Sequence, residues 1–235
     1  MFVFKQFSVS QSKSAMKIGT DGVLLGAWCP ITHHPSNILD IGAGTGIIAL
    51  MLAQRSQAAQ IDAIEIEDNA YEECVGNFEN SPWSDRLFCY HAGIDELMDD
   101  PEDVYDLIVS NPPFYKDQHD SENDARAMAR SENNLPFELL IESADLLLSE
   151  EGVFATIIPR KEEEAFIKIC AEFELFPFSI LRVKGNINTE EIRSLLAFSR
   201  NNSELTIDTI ALEKARHDYT EEYQKIVRDF YLKME

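Results

Sequence analysis

The chain has 235 residues, with 42 acidic and 20 basic side chains and a net charge of −22. That length suits one large domain or two small ones and buries a core without disulfide or metal staples. Hydrophobic residues at 45% exclude a globally disordered chain, and the longest apolar run, Ile47 to Ala53, is far short of a membrane span.

In chain order, Met1-Phe2-Val3-Phe4-Lys5 shows no secretory signal pattern. Asn37 to Ile41 is a short apolar run that stops at a glycine cluster, and Gly46 to Arg55 is dense in helix formers. This reads as strand, glycine-rich turn and buried helix. Gln60 to Glu65 predicts a second strand and Asn69 to Glu79 a helix. Leu87 to Tyr90 predicts a third strand, and Tyr105 to Ser110 a fourth that ends at Asn111-Pro112-Pro113. Lys116 to Asn134 is the longest polar segment, either a mobile functional loop or simply disordered. Phe137 to Leu148 reads as helix, Gly152 to Ile158 as a fifth strand and Lys161 to Glu174 as a charged helix. Ser179 to Val183, Ser194 to Ser199 and Leu205 to Ala211 are further strands, before a closing amphipathic helix over Tyr219 to Lys233. Alternating strands and helices predict an α/β fold with a mostly parallel sheet covered on both faces and right-handed crossovers.

A charge of −22 argues against a nucleic-acid partner, but the charge is uneven. Residues 1–61 carry net +2, residues 62–175 net −23 and residues 176–235 net −1. A basic surface built from the two ends therefore stays open. Cys29, Cys74, Cys89 and Cys170 are widely spaced, with no Cys-x-x-Cys pair. The expectation is a reduced, cytoplasmic protein without a zinc ribbon. The five histidines show no metal spacing, so no metal is expected.

Asp40-Ile41-Gly42-Ala43-Gly44-Thr45-Gly46 is the first constellation with chemistry in it. Glycine turns sharply and lets a ligand approach the backbone without a Cβ clash. The dinucleotide fingerprint would place its third glycine one residue later, where Ile47 stands. A carboxylate just before the turn suits the cationic head of S-adenosylmethionine better than an anionic pyrophosphate. A tight turn with no ligand is the plainer alternative. Glu65, at the end of the second strand, is placed to accept ribose hydroxyls, with Glu67 and Asp68 as neighbouring rivals. It can also be a solvated acid in an acidic segment.

Asn111-Pro112-Pro113-Phe114 follows the fourth strand, and in a doubly wound sheet that strand end shares the ligand crevice with the glycine loop. An exocyclic NH₂ is a poor nucleophile because its lone pair is delocalised. The Asn111 side-chain oxygen and the Pro112 carbonyl can accept its two hydrogens and aim the lone pair at an activated methyl. The prolines stiffen the turn, and Phe114 offers a ring for stacking. An ordinary Pro-Pro turn is the alternative.

With these motifs the chain resembles the amino-methyltransferases that use S-adenosylmethionine. The stretches Phe4 to Phe7 and Met16 to Trp28, with Ser81 to Arg86 and Asp229 to Leu232, narrow the likeness. They are similar to the bacterial tRNA adenine-N6 methyltransferases that modify the adenine beside the anticodon of a valine tRNA. The resemblance implies a Rossmann-like methyltransferase fold, with a mostly parallel seven-stranded sheet whose last strand is antiparallel. It implies one domain over 1–235, with 1–35 covering the cofactor and 36–235 forming the core. It further implies S-adenosylmethionine as cofactor, tRNA as partner, a cytoplasmic location and no membrane or metal; a monomer is the simplest state.

Residue by residue, the resemblance assigns Asp40, Gly42, Gly44, Gly46 and Glu65 to the cofactor and Asn111, Pro112, Pro113 and Phe114 to catalysis. Lys17, Thr20 and Asp21 match a segment expected to close over the cofactor; read from the residues alone, Thr20 or Asp21 instead caps a helix from Val23. Many relatives place an acid after the third strand to meet the cofactor adenine. Here the segment is His91-Ala92-Gly93-Ile94-Asp95, and the contacting residue stays open. Arg126 and Arg130 either bind target-strand phosphates or offset Asp120, Glu122 and Asp124. Arg182 and Lys184, with Arg193, Arg200, Lys214 and Arg216, are further candidates for RNA contact. A glutamine amide in a protein, or DNA adenine, are alternative substrates, and a non-catalytic RNA- or protein-binding module is an alternative of another class.

Overall fold

The structure, a computed structural model, describes residues 1–14, 16–99, 104–113 and 135–234. A short antiparallel hairpin, β1 (Phe2–Val3) and β2 (Ser8–Val9), precedes α1 (Thr20–Trp28). Strands and helices then alternate: β3 (Asn37–Ile41), α2 (Ile47–Arg55), β4 (Gln60–Glu65), α3 (Asp68–Glu79) and β5 (Leu87–His91). Next come α4 (Ile94–Asp99), β6 (Tyr105–Ser110), α5 (Phe137–Leu147), β7 (Leu148–Pro159), a 3₁₀ turn at Arg160–Glu162 and α6 (Glu163–Glu172). The chain closes with β8 (Phe176–Asn186), β9 (Glu191–Ser199), β10 (Thr206–Ala215), β11 (Asp218–Tyr219) and α7 (Glu221–Val227).

Among the described residues one sheet has the order β11-β10-β8-β9-β7-β6-β3-β4-β5. It holds nine strands rather than the expected seven. Strands β3 to β9 supply the seven, with β9 running antiparallel between β7 and β8. The two additions extend that edge: β10 lies parallel to β8, and the short β11 turns back on β10. The closing helix is also shorter than the sequence pattern predicts. After Val227 the chain turns so that Phe230 reaches the N-terminal hairpin, where its carbonyl accepts the Lys5 amide at 2.8 Å.

Parallel strands covered on both faces need apolar side chains on both, and β3, β4, β6 and β7 have them. Ile38, Ile61 and Leu107 join one core with α1, α2, α3 and α7, while Leu39, Ile64 and Ile108 join the other with α4, α5 and α6. Helix α2 is apolar on nearly every side because it is enclosed between the sheet and α1. At their crossing a Cβ on Gly26 would come within 2.8 Å of the Met51 sulfur.

The chain builds outward from β3 to β4 and β5, then returns to place β6 on its other side. The order of connections therefore reverses between β3 and β6. A crevice opens there beyond the carboxyl ends of the strands, where doubly wound sheets take ligands.

Candidate active site

The loop after β3 and the turn after β6 face each other across this crevice, which holds a cavity of about 330 Å³. Its walls include Gly42 and Gly44 from the loop, Glu65 from the end of β4, Gly93 and Asp95 beyond β5, and Asn111 and Pro113 beyond β6. Ser14 and Met16 contribute from the N-terminal segment.

The glycines differ in purpose. Gly44 has φ +57°, and a Cβ built on it meets nothing within 4 Å, so the space beside it belongs to the cavity. Gly42 is equally open. At Gly46 a Cβ would come 2.5 Å from Phe78 and 2.8 Å from the Cys74 sulfur, so this glycine serves packing against α3. The amides of Gly42 and Ala43 both donate to the Ile64 carbonyl at 3.0 Å, which anchors the loop to β4.

Glu65 Oε2 accepts the Gly44 amide at 2.8 Å, and Oε1 accepts the Glu67 amide at 2.9 Å. Each oxygen keeps a lone pair for a ligand hydroxyl. The rivals' carboxylates have other partners, although Glu67 also lines the cavity. Glu67 caps α3, accepting the Asn69 and Ala70 amides, and Asp68 pairs with His91 at 3.1 Å.

Asp40 is fully buried and is absent from the cavity wall. Its Oδ2 accepts the Ala49 amide in the first turn of α2 at 3.1 Å, while Oδ1 is buried with no partner among the described residues. Burial pushes its carboxyl up to about 7, against the pull of the Ala49 amide. From this position it holds the first turn of α2 rather than standing on the cavity wall.

Beyond β5 the chain enters α4 along the cavity. The Gly93 amide donates to Glu96 at 2.9 Å, and a Cβ on Gly93 would overlap the Asp95 carboxylate. Asp95 therefore lies against the bare Gly93 backbone and faces the cavity. This acid stands four residues beyond the end of β5, whereas Glu65 is the last residue of β4.

Beyond β6, Asn111 Oδ1 is buried and has no hydrogen-bond partner among the described residues. The strand behind it is held to β3 by the Ser110 hydroxyl, which donates to the Ile41 carbonyl at 2.9 Å. Pro112 is buried and Pro113 lines the cavity; Phe114, Arg126 and Arg130 lie outside the described residues.

Lys17, Thr20 and Asp21 are not on the cavity wall. The Lys17 ammonium donates to the carbonyls of Gln11 and Ser14 at 2.6 and 2.8 Å. Thr20 and Asp21 sit inside α1, whose capping position is Gly19 with no side-chain cap bond. Asp21 pairs with Arg193 at 2.8 Å. Arg182 is bound to Glu163 through two nitrogens at 2.7 and 3.2 Å, and Arg200 to Asp145 at 2.7 Å. The Lys184 side chain forms no hydrogen bond or ion pair among the described residues. Among those residues no cluster of three or more His, Cys, Asp or Glu side chains is placed to hold a metal, and no helix is long and apolar enough to cross a membrane.

Known proteins place the chain in a family. A family model described as the methyltransferase small domain matches residues 12–167. The tRNA1(Val) (adenine(37)-N6)-methyltransferase of Flavobacterium psychrophilum is 61% identical over 234 residues, covering 100% of both chains. The protein of that name from Christiangramia forsetii is 55% identical, covering 99% of this chain and 98% of its own. This chain belongs to the tRNA1(Val) (adenine(37)-N6)-methyltransferase family. Among solved structures, a predicted O-methyltransferase from Agrobacterium tumefaciens shares the fold of this family member with a TM-score of 0.69 at 17% identity, covering 89% of this chain and 96% of its own. A methyltransferase from Pyrococcus furiosus does so with a TM-score of 0.57 at 20% identity, covering 83% and 89%.

The family's cofactor is S-adenosylmethionine, and the residues fit it. The open backbone at Gly42 and Gly44 admits a ligand in van der Waals contact. Glu65 offers acceptors that suit ribose hydroxyls and Asp95 one that suits an adenine amine, and both line the same cavity. A volume of about 330 Å³ lies within the range of small-ligand sites.

Proposed function

We propose that this chain methylates the exocyclic N6 of adenine 37 in tRNA1(Val), the reaction for which its full-length relatives are named. The observation that carries the mechanism is Asn111 Oδ1 on the wall of the cofactor cavity, buried and without a hydrogen-bond partner among the described residues. A buried acceptor without a donor is unfavourable by about 1–3 kcal/mol unless something supplies one. An adenine amine does so. Asn111 Oδ1 takes one N6 hydrogen and the Pro112 carbonyl the other, which turns the nitrogen lone pair toward the methyl donor. When bound, the cofactor's sulfonium supplies an electrophilic methyl group. That methyl would pass to the N6 held by Asn111 and Pro112, the sulfur would leave as a neutral thioether, and the surplus N6 proton would go to solvent. Positioning is the chain's main contribution to rate.

Glu65 is assigned to the ribose, Asp95 to the cofactor adenine, and the Gly42–Gly46 loop with Asp40 behind it to the amino-acid end. Phe114 is assigned the stacking role that its place after Pro113 suits. A base beside the anticodon reaches this site splayed from its loop. Residues 1–35 cover the cofactor, a role supported by Ser14 and Met16 on the cavity wall.

For the RNA backbone the carboxyl edge of β8 and β10 is the fitting surface. Lys184, Lys214 and Arg216 stand there, on the same edge of the sheet as Asn111. Arg182 is less suited, being held by Glu163; Arg126 and Arg130 keep their assignment from sequence position alone. A tRNA substrate makes the cytoplasm the site of action.

The test is to incubate the protein and methyl-labelled cofactor with total RNA from a strain lacking the gene. Labelled N6-methyladenosine in the valine tRNA is the expected product. Label confined to protein, DNA or another tRNA contradicts the assignment.

A further inference from the structure

We propose that Glu73 and Lys17 are positioning residues for the methyl donor: as an anion and a cation, they mould residues 10–14 into a strap that walls the cofactor cavity. The proposal rests on that cavity being the S-adenosylmethionine site.

The strap has no helix or strand of its own between β2 and α1. Its backbone groups must therefore find partners elsewhere. The Glu73 carboxylate, on α3 and 5% exposed, collects the donors. Oε1 accepts the Ser12 and Lys13 amides at 2.5 and 3.2 Å and the Ser10 and Ser12 hydroxyls at 3.0 and 3.1 Å. Oε2 accepts the Ser14 amide at 2.9 Å and its hydroxyl at 2.6 Å. The Lys17 ammonium collects the acceptors, the carbonyls of Gln11 and Ser14 at 2.6 and 2.8 Å, with Ser12 at 3.5 Å. One anion thus takes three of the strap's N–H groups and one cation three of its C=O groups.

The same face of α3 ties the strap to the glycine loop. Asn77, one turn on, accepts the Ser10 amide at 2.7 Å and donates to the Ser10 and Thr45 carbonyls at 3.0 and 2.9 Å. Thr45 lies between Gly44 and Gly46. The strap ends at Ser14, which together with Met16 contributes to the cavity wall. Burial pushes the Glu73 carboxyl up, but the Ser14 hydroxyl, the Ser14 and Lys13 amides and the Ser10 hydroxyl outweigh it and hold it well below the usual carboxylate range. The strap is therefore clamped across the whole working pH range. Neither side chain reaches the cavity, so both act on the donor through the strap.

The test compares Glu73→Gln, Lys17→Met and the double variant by calorimetric titration with S-adenosylmethionine. Ligand-free samples are also digested with trypsin, which cuts after Lys13. Each single variant should weaken cofactor binding by about tenfold or more and speed the Lys13 cut. Turnover at saturating cofactor should stay within about twofold, so KM moves and kcat does not. The double variant should be little weaker than the worse single one, because both release the same strap. Lys17 is exposed, so its replacement leaves the core intact and decides the matter whatever Glu73→Gln does to folding. Unchanged cofactor affinity in a folded Lys17→Met protein overturns the proposal and leaves the methyltransferase reading standing. A native chain that binds no S-adenosylmethionine overturns that reading as well.

Discussion

The Glu65 carboxylate on β4 accepts the backbone N–H of Gly44, on the loop after β3, at 2.8 Å. An acid on one strand thus fixes the glycine loop of the next while facing the cavity itself. Glu65→Ala should weaken S-adenosylmethionine binding by about 10- to 100-fold, read by calorimetry. Glu67→Ala is the comparison. It removes the cap of α3, so it should lower stability by about 1 kcal/mol and change cofactor affinity far less.

Gly44 and Gly46 should fail in different ways. Gly44→Ala puts a methyl into the open cavity at φ +57°; the strain is about 1 kcal/mol, and the main loss is cofactor affinity, by about tenfold or more. Gly46→Ala drives a methyl into Phe78 and Cys74 at φ +77°, at a stability loss of about 3 kcal/mol or more. Paired chemical unfolding and cofactor titrations separate the two.

Asp40 predicts a pH signature. Its folded-state carboxyl sits at about 7, above its ordinary value of 3.8. The folded chain therefore binds the proton more tightly than the unfolded chain, and this stabilising contribution fades as pH rises from about 4 to 7. Asp40→Asn removes the titration. Its melting temperature relative to wild type should climb between pH 5 and pH 8, by several degrees if the effect is a few kcal/mol. A constant difference across that range contradicts the assignment.

Two basic residues of β8 should likewise part company. Arg182 is the main partner of Glu163, whose side chain is 3% exposed. Arg182→Ala leaves that carboxylate short of its bidentate partner and should lower stability by about 3 kcal/mol. Lys184→Ala should leave stability within about 0.5 kcal/mol. It should weaken tRNA binding and reduce the salt-dependence slope by about 1. Unfolding curves and filter binding at several salt concentrations distinguish them.

Strands β3, β4 and β6 were legible to the residue because each is a short apolar run stopped by glycine, acid or proline. Glu65 and Asn111 were legible for the same reason, as each sits where such a run ends. What stayed hidden depends on distant partners. The β1–β2 hairpin has two residues per strand and exists through packing of Phe2 and Phe4 on Tyr231. The closing helix stops at Val227 because Phe230 and Tyr231 turn back to that cluster, which local periodicity does not reveal. Asp95 was obscured by its offset from the strand end. Glu73 looked like one more acid in an acidic segment, since the six donors that surround it lie about sixty residues away. The acidity itself belongs mainly to residues 62–175, while residues 176–235, which hold β8 and β10, carry net −1.

The central claim is that Asn111 orients an adenine amine for methyl transfer. The most direct measurement is Asn111→Ala assayed on unmodified tRNA1(Val), with cofactor binding titrated in parallel. Cofactor affinity within about threefold of wild type, with turnover reduced by about 10³ or more, is the predicted result. Turnover near wild type with the same tRNA contradicts it.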